Sequence, residues 1–307
     1  MVTKAILEAY DKGMGKGTAF IFPNLAYKLA ADINFREGTP NYDLTLLACK
    51  VAAHRMNPMF IFCDASFNKP WGTTINYMGC RSRTGSNVHG PAIIEGRGNV
   101  SFTTLNLVSY ALEAKGDVAK FFELLQENLG IVERQLLHRY NILSKLKKRD
   151  IPFNMDGIYF GSDDLKDDDI VEPALKHGTH TFGFTGLAEC LKALLGVHHG
   201  ESEDAQALGL RIIGRIREYA DLCTTKHNLN FSVIATPAEA TASRVAKIDA
   251  KRFSDAPRVD YYTNSFQIPV DFPISTEDKL RIEGPYHALC NGGHNTYVEL
   301  PGSPIGN

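Results

Sequence analysis

Three short apolar runs constrain this chain more than anything else in it: Thr18-Ala19-Phe20-Ile21-Phe22, Met59-Phe60-Ile61-Phe62-Cys63 and Asn230-Phe231-Ser232-Val233-Ile234-Ala235. Each is too brief for a stable helix and reads as a strand; the first is stopped by Pro23 and the last runs into a helix at Thr236. Amphipathic stretches lie between them. Parallel strands need long crossovers, so this alternation predicts a βα architecture with an extensive parallel component.

The helical stretches have readable ends. Thr3 to Met14 is predicted helical, with a glycine exit at Gly13, Gly15 and Gly17, and Asn41 or Asp43 can cap a helix that runs through Met56 until Pro58 halts it. The clearest helix starts at Asp117 and carries Phe121, Leu125, Leu129, Val132, Leu136, Tyr140 and Leu143 on one face. Its basic end, Lys145 to Arg149, suits the helix dipole. Asp150 to Asp169 is polar and acidic and reads as a surface excursion. Thr181 to Gly186 leads into a helix over Leu187 to Leu195, Ser202 caps another to about Leu222, and Thr276 to Cys290 supplies a later one. Tyr261 to Val270 and Asn295 to Leu300 are expected as strands. Units of this kind form part of a closed barrel and leave edges for other segments to cover.

Charge and cysteine usage exclude several function classes. Lys plus Arg number 33 against 35 Asp plus Glu, so no basic surface for coating nucleic acid is indicated. The six cysteines, at 49, 63, 80, 190, 223 and 290, contain no Cys-x-x-Cys pair, which argues against a zinc ribbon and a disulfide framework and for a reduced cytoplasmic protein. Neither an export signal nor a bilayer-length apolar stretch is evident. His287, Cys290 and His294 have metal-compatible spacing, as do His198 and His199, but without a fourth ligand they read as polar loops, and no metal site is assigned.

Candidate chemistry centres on Cys80. Tyr77-Met78-Gly79-Cys80-Arg81-Ser82 places a thiol between glycine and arginine on a short segment, where sulfur can face a cavity; the plainer alternative is a small buried hydrophobe. Downstream, Gly96-Arg97-Gly98-Asn99 offers a carboxamide with donors and an acceptor but no charge, or simply a turn residue. Thr236-Pro237-Ala238-Glu239 fits a capping box with proline at the first helical position. A helix start directly after a strand is also where phosphates bind, although Glu239 would oppose one.

The Cys80 segment resembles the finger loop of the anaerobic (class III) ribonucleoside-triphosphate reductases. Further matches follow in order: Phe22-Pro23-Asn24, Pro40-Asn41-Tyr42-Asp43-Leu44, Lys176-His177-Gly178-Thr179, Gly183-Phe184-Thr185-Gly186-Leu187-Ala188-Glu189, Thr236-Pro237-Ala238-Glu239, Tyr262-Thr263-Asn264-Ser265-Phe266 and Gly292-Gly293-His294-Asn295-Thr296-Tyr297-Val298-Glu299. Ordered matches over nearly the whole chain are far more specific than one motif. Val108 stands where the family commonly has proline, and Thr185 where it has isoleucine or valine.

The resemblance implies a partial ten-stranded α/β barrel of the glycyl radical enzyme type, with residues 1–307 as one incomplete catalytic domain and an interior finger loop. It implies that Cys80 becomes a thiyl radical that removes the ribose C3′ hydrogen, that Ser82 and Asn99 line the same site, and that Asn99 marks the formate-using branch. Met78, Thr236, Ala238 and Glu239 are the expected substrate-binding positions. An N-terminal regulatory domain, a C-terminal zinc site and a glycyl-radical loop are expected to be absent; Gly292-Gly293 and Gly302 lie upstream of that loop. Expected partners are a ribonucleoside triphosphate, an S-adenosylmethionine-dependent iron–sulfur activating enzyme, the missing reductase segments and a second subunit. A catalytically inert nucleotide-binding or assembly subunit of a split reductase is the alternative.

Overall fold

The computed structural model describes residues 1–299. The chain divides into two compact units, one built on Met1–Cys80 and one on Arg81–Tyr297. Among the described residues no helix is long and apolar enough to cross a membrane.

In the first unit, helix α1 (Val2–Lys12) and strand β1 (Ala26–Leu29) precede α2 (Tyr42–Arg55) and strand β2 (Met59–Phe62). The strands pair in parallel, Ala26 opposite Met59 and Leu29 opposite Phe62. Leu7 and Tyr10 of α1, Tyr27 and Leu29 of β1, and Ala48 and Val51 of α2 form the core. The helix over 42–55 ends as its sequence signals predict, where Met56 takes a left-handed φ of 58° ahead of Pro58, but its start differs: Asn41 stands at the N-cap and makes no side-chain capping bond.

The strand expected at Thr18–Phe22 is not one; the strand lies further on, at Ala26–Leu29. Met14 and Thr18 exchange backbone hydrogen bonds in a tight turn, and Ile21 and Phe22 are each 75% exposed. Pro23 lacks the N–H a ladder needs, so pairing begins only beyond it.

The second unit contains β3 (Asn99–Asn106), α3 (Leu107–Ala114), α4 (Val118–Leu143), the single turns α5 (Pro152–Met155) and α6 (Glu172–Leu175), β4 (Thr179–Thr185), α7 (Leu187–Leu195), α8 (Glu203–His227), β5 (Asn230–Ala235), α9 (Glu239–Arg252) and α10 (Thr276–Leu289). The sheet order is β3-β4-β5, all parallel. The Asp117 carboxylate accepts from Lys120 N at 3.0 Å and caps α4. Ser202 caps α8, which runs past the expected Leu222 to His227 and stops where Asn228 adopts φ 51°.

Successive strand residues point to opposite faces, so register sorts the sheet. One face presents Leu105, Phe182, Phe184, Phe231 and Val233 to the apolar sides of α4 and α8, a single core in which each large side chain contributes about 1.5–3 kcal/mol. The other presents Asn99, Thr104, Asn106, Thr179, Thr181, Thr185 and Ser232. Every residue of β4 and β5 is buried, so the polar face is withdrawn from water along these two strands, while β3 is only partly buried.

Two further expectations are corrected. The helix placed at Thr236 begins at Glu239 with Ala238 at its N-cap and no side-chain cap bond, so Pro237 is not its first residue and there is no capping box. The Thr236 hydroxyl pairs across the sheet with Thr104 Oγ1 at 3.1 Å instead. Tyr261–Val270 is irregular because its carbonyls serve a helix start: Gly186 N donates to Thr263 O and Leu187 N to Ser265 O, at the head of α7. Asn295 to Glu299 forms no strand, while Leu300 and Gly302 lie outside the described residues.

Candidate active site

Cys80 closes the first unit in a turn where Gly79 takes φ 57° and its carbonyl accepts from Asn24 Nδ2 at 2.9 Å. A side chain at Gly79 would strain this backbone, which explains the glycine before the thiol. Cys80 is half-buried, as is Met78. Of the other cysteines, Cys63, Cys190, Cys223 and Cys290 are buried and Cys49 is exposed on α2. Burial pushes the thiols of Cys63, Cys190, Cys223 and Cys290 up, Cys223 to about 12 with Glu133 adding to the effect, which makes these four poor thiolates.

Arg81 begins the second unit and is 1% exposed. Its Nη1 donates to Ala235 O at 3.2 Å, Thr236 O at 3.0 Å, Asn264 Oδ1 at 3.2 Å and Ser265 Oγ at 3.2 Å, gathering the end of β5 and the Asn264-Ser265 segment. Its guanidinium also lies over the Tyr297 ring, 5.7 Å from the centroid. Ser82 forms an antiparallel bridge with Gly293, and Arg83 N donates to Gly292 O at 3.0 Å. Gly293 N–H and C=O are spent on Cys290 O and Ala235 N, so 81–83 and β5 meet through the glycine pair. A Cβ at Gly293, φ 138°, would sit 2.2 Å from Arg81 O.

Asn99 opens β3 on the polar face. Its Nδ2 donates to Thr181 Oγ1 at 2.6 Å, and Thr181 Oγ1 pairs with Ser232 Oγ at 2.8 Å, a line of side chains across all three strands. Asn99 Oδ1 is shielded from solvent and meets no donor among the described residues. Asn99 is therefore a strand residue held by a neighbour and not the turn residue its glycines suggested.

The expected phosphate-side residues surround the start of α9. Ala238 is fully buried, and the Thr236 carbonyl accepts from Arg81 and from Ser265 Oγ. Glu239 is largely exposed, with Oε1 3.6 Å from Arg81 Nη2, so that cation faces the carboxylate that would oppose an anion here. Ser82, Asn99, Thr236, Ala238 and Glu239 all belong to the second unit, and Met78 and Cys80 to the first.

The histidine groups are occupied structurally. His199 Nε2 bonds Phe266 O at 2.7 Å, His198 neighbours Glu201, and the His287 and His294 rings lie 4.3 Å apart. Burial holds His199 and His287 down at about 4. Among the described residues no three His, Cys, Asp or Glu side chains gather as a metal site. Arg81, Thr181 and Ser232 were not singled out from sequence; the arginine next to a loop cysteine was the one available signal, and the other two are ordinary strand residues until register aligns them.

Comparison with known proteins completes the description. A family model described as anaerobic ribonucleoside-triphosphate reductase matches residues 1–307. The anaerobic ribonucleoside-triphosphate reductases of Salmonella typhimurium and Escherichia coli are each 35% identical to this chain over 311 residues, 98% of this chain and 43% of theirs. That of Enterobacteria phage T4 is 32% identical over 98% of this chain and 50% of its own. The chain thus spans about half the length of these relatives or less. Among solved structures, the anaerobic ribonucleotide reductase from Thermotoga maritima with MES in the active site superposes with a TM-score of 0.68 at 17% identity, covering 98% of this chain and 47% of that one. The same enzyme in complex with dATP and CTP gives 0.67 at 18% identity, covering 95% and 44%. This likeness identifies the fold as part of that α/β barrel.

Proposed function

Because this chain belongs to the anaerobic ribonucleoside-triphosphate reductase family, we propose that it supplies the finger-loop part of a barrel that reduces ribonucleoside triphosphates to 2′-deoxyribonucleoside triphosphates. The observation that carries this reading is Cys80, which alone among the six cysteines sits half-buried in a glycine turn rather than on a helix or in the core.

The roles of the chain's own residues follow from their chemistry. A sulfur-centred radical at Cys80 takes the hydrogen from ribose C3′, forming S–H and breaking C–H; the two bonds are close in strength, so after reduction the C3′ radical takes the hydrogen back, re-forming C–H and the Cys80 radical. Ser82 and Asn99 bind the ribose hydroxyls without adding charge, which suits loss of the 2′-hydroxyl as water after it gains a proton. Formate as reductant balances the reaction: triphosphate, formate and a proton give deoxynucleotide, carbon dioxide and water. Met78 shapes the wall beside the thiol. The backbone at Thr236 and Ala238, with the start of α9, receives the phosphates, and Arg81 offsets Glu239 there.

The family's glycyl radical supplies the one-electron oxidant that arms Cys80. No described glycine stands in an Arg-x-x-Gly-Tyr-type setting, and the family's zinc has no seat among the described residues. Both belong to other reductase segments in this reading, together with an S-adenosylmethionine-dependent activating enzyme, a second subunit and a cytoplasmic setting.

A polypeptide of these 307 residues alone is expected to be inactive under anaerobic conditions with formate and activating enzyme. Turnover should appear when the remaining reductase segments are added as a second polypeptide, and Cys80→Ala should abolish it, measured as deoxynucleotide formed. Product from the 307 residues alone, or from the complemented Cys80→Ala protein, overturns the reading.

A further inference from the structure

The polar face of the β3-β4-β5 sheet holds an arrangement that the roles of Cys80, Ser82 and Asn99 do not explain. Asn99 Nδ2 donates to Thr181 Oγ1 at 2.6 Å, and Thr181 Oγ1 is itself bonded to Ser232 Oγ at 2.8 Å. Thr181 is fully buried and Ser232 nearly so. The two hydroxyls are bonded to each other away from water, and Thr181 also accepts from Asn99. The far end is fixed sterically as well: a Cβ at Gly292 would lie 2.6 Å from Ser232 Oγ, so glycine there leaves room for this hydroxyl. Asn99 Oδ1 is shielded from solvent and has no donor among the described residues, and whichever of Thr181 and Ser232 donates to the other, one hydroxyl proton of the pair has no acceptor within the line. The Asn99 amide nitrogen carries two donors; tying one of them to Thr181 fixes which edge of the carboxamide faces β4 and so sets where its other N–H and its oxygen point.

We propose that Thr181, backed by Ser232, is a positioning residue that holds the Asn99 carboxamide in one orientation, its nitrogen toward β4, and so fixes the geometry in which Asn99 meets the sugar. This rests on the reading of Asn99 as a ribose-binding residue and adds the means by which its orientation is set. Buried side chains fixed by a supporting layer hold reacting geometry more tightly than mobile ones do. A side chain already held in place costs little reorganisation when substrate arrives.

A double-mutant cycle in the complemented reductase tests this. Thr181→Val keeps the side-chain shape and removes the hydroxyl; it should lower kcat by at least tenfold while KM for the triphosphate moves less than threefold. Thr181→Ser should recover kcat to within threefold of the parent. Because Thr181 acts through Asn99, Thr181→Val should cost less than twofold when added to a residually active Asn99→Gln protein. In the 307-residue chain, hydrogen exchange of the Asn99 side-chain amide, identified by its loss in Asn99→Ala, should quicken at least tenfold in Thr181→Val. Should Thr181→Val prove unstable, Ser232→Ala carries the same comparisons with a smaller expected loss, about threefold in kcat. Equal losses with and without Asn99, or unchanged kcat and amide exchange, overturn the positioning role while loss of turnover in Asn99→Ala leaves the reductase reading standing. Full turnover in Asn99→Ala overturns the ribose-binding role and the proposal together.

Discussion

His180 occupies the apolar face of β4, its ring edge-on to Tyr140 at 5.1 Å and tilted against Phe231 at 5.5 Å, with neither ring nitrogen bonded among the described residues. Burial, reinforced by the nearby Arg139 cation, lowers its pKa to about 4. The folded pKa lies below the ordinary value, so the unfolded chain binds the proton first as pH falls. Stability is complete above about pH 6.5 and is lost progressively down to about pH 4, by up to about 3 kcal/mol. His180→Phe removes this proton linkage and keeps an aromatic ring. Relative to the parent, the variant should gain about 2 kcal/mol between pH 7 and pH 5 in denaturant titrations. Parallel pH slopes for the two proteins would show that His180 is not the group responsible. His199 and His287, held near 4 by the same burial, predict that acid sensitivity persists in the variant at reduced size.

Elements differ in how far their neighbours constrain them, and glycine substitutions separate the cases. Gly293 joins the 81–83 segment to β5, and a methyl there would meet Arg81 O at 2.2 Å with the backbone at φ 138°; Gly293→Ala should destabilise by about 3 kcal/mol. Gly214 lies inside α8 with nothing within 4 Å of an added Cβ, so Gly214→Ala should stabilise by about 0.8–1 kcal/mol. Equilibrium unfolding of both variants checks the opposite signs. The same distinction explains what was legible in the sequence. Helices α4 and α8 could be read because apolar spacing and a capping Asp or Ser lie within a few positions of each other. The start of α9 could not: Thr236 had a good local signature, but Thr104 and Arg81 claim its hydroxyl and carbonyl from elsewhere in the chain. Strand β3 was hidden in a segment read for its glycines and asparagine. Cys80 stood out by its flanking residues, whereas Arg81 had no visible partners because those it binds at Ala235 and Thr236 lie 154 and 155 positions away.

At the scale of the whole molecule, the two units carry unequal cores. The first rests on a few residues from α1, β1 and α2, with a two-stranded sheet, while β4 and β5 in the second have every residue buried beneath α4 and α8. Local opening follows buried contact density. Amides of β1 and β2 should therefore exchange at least tenfold faster than those of β4 and β5, read by hydrogen exchange with mass spectrometry. Uniform protection would show that the first unit draws its stability from more than its own core. The parallel pairing also has a consequence in time. Asn99 finds its partner only at Thr179, 80 positions later, so at ribosomal rates of about 5–20 residues per second β3 waits about 4–16 s for β4 to be synthesised. During that interval its ladder groups and apolar side chains are open to any other extended segment, which makes the nascent chain of this protein a client for whatever shields unpaired strands in the cell that makes it.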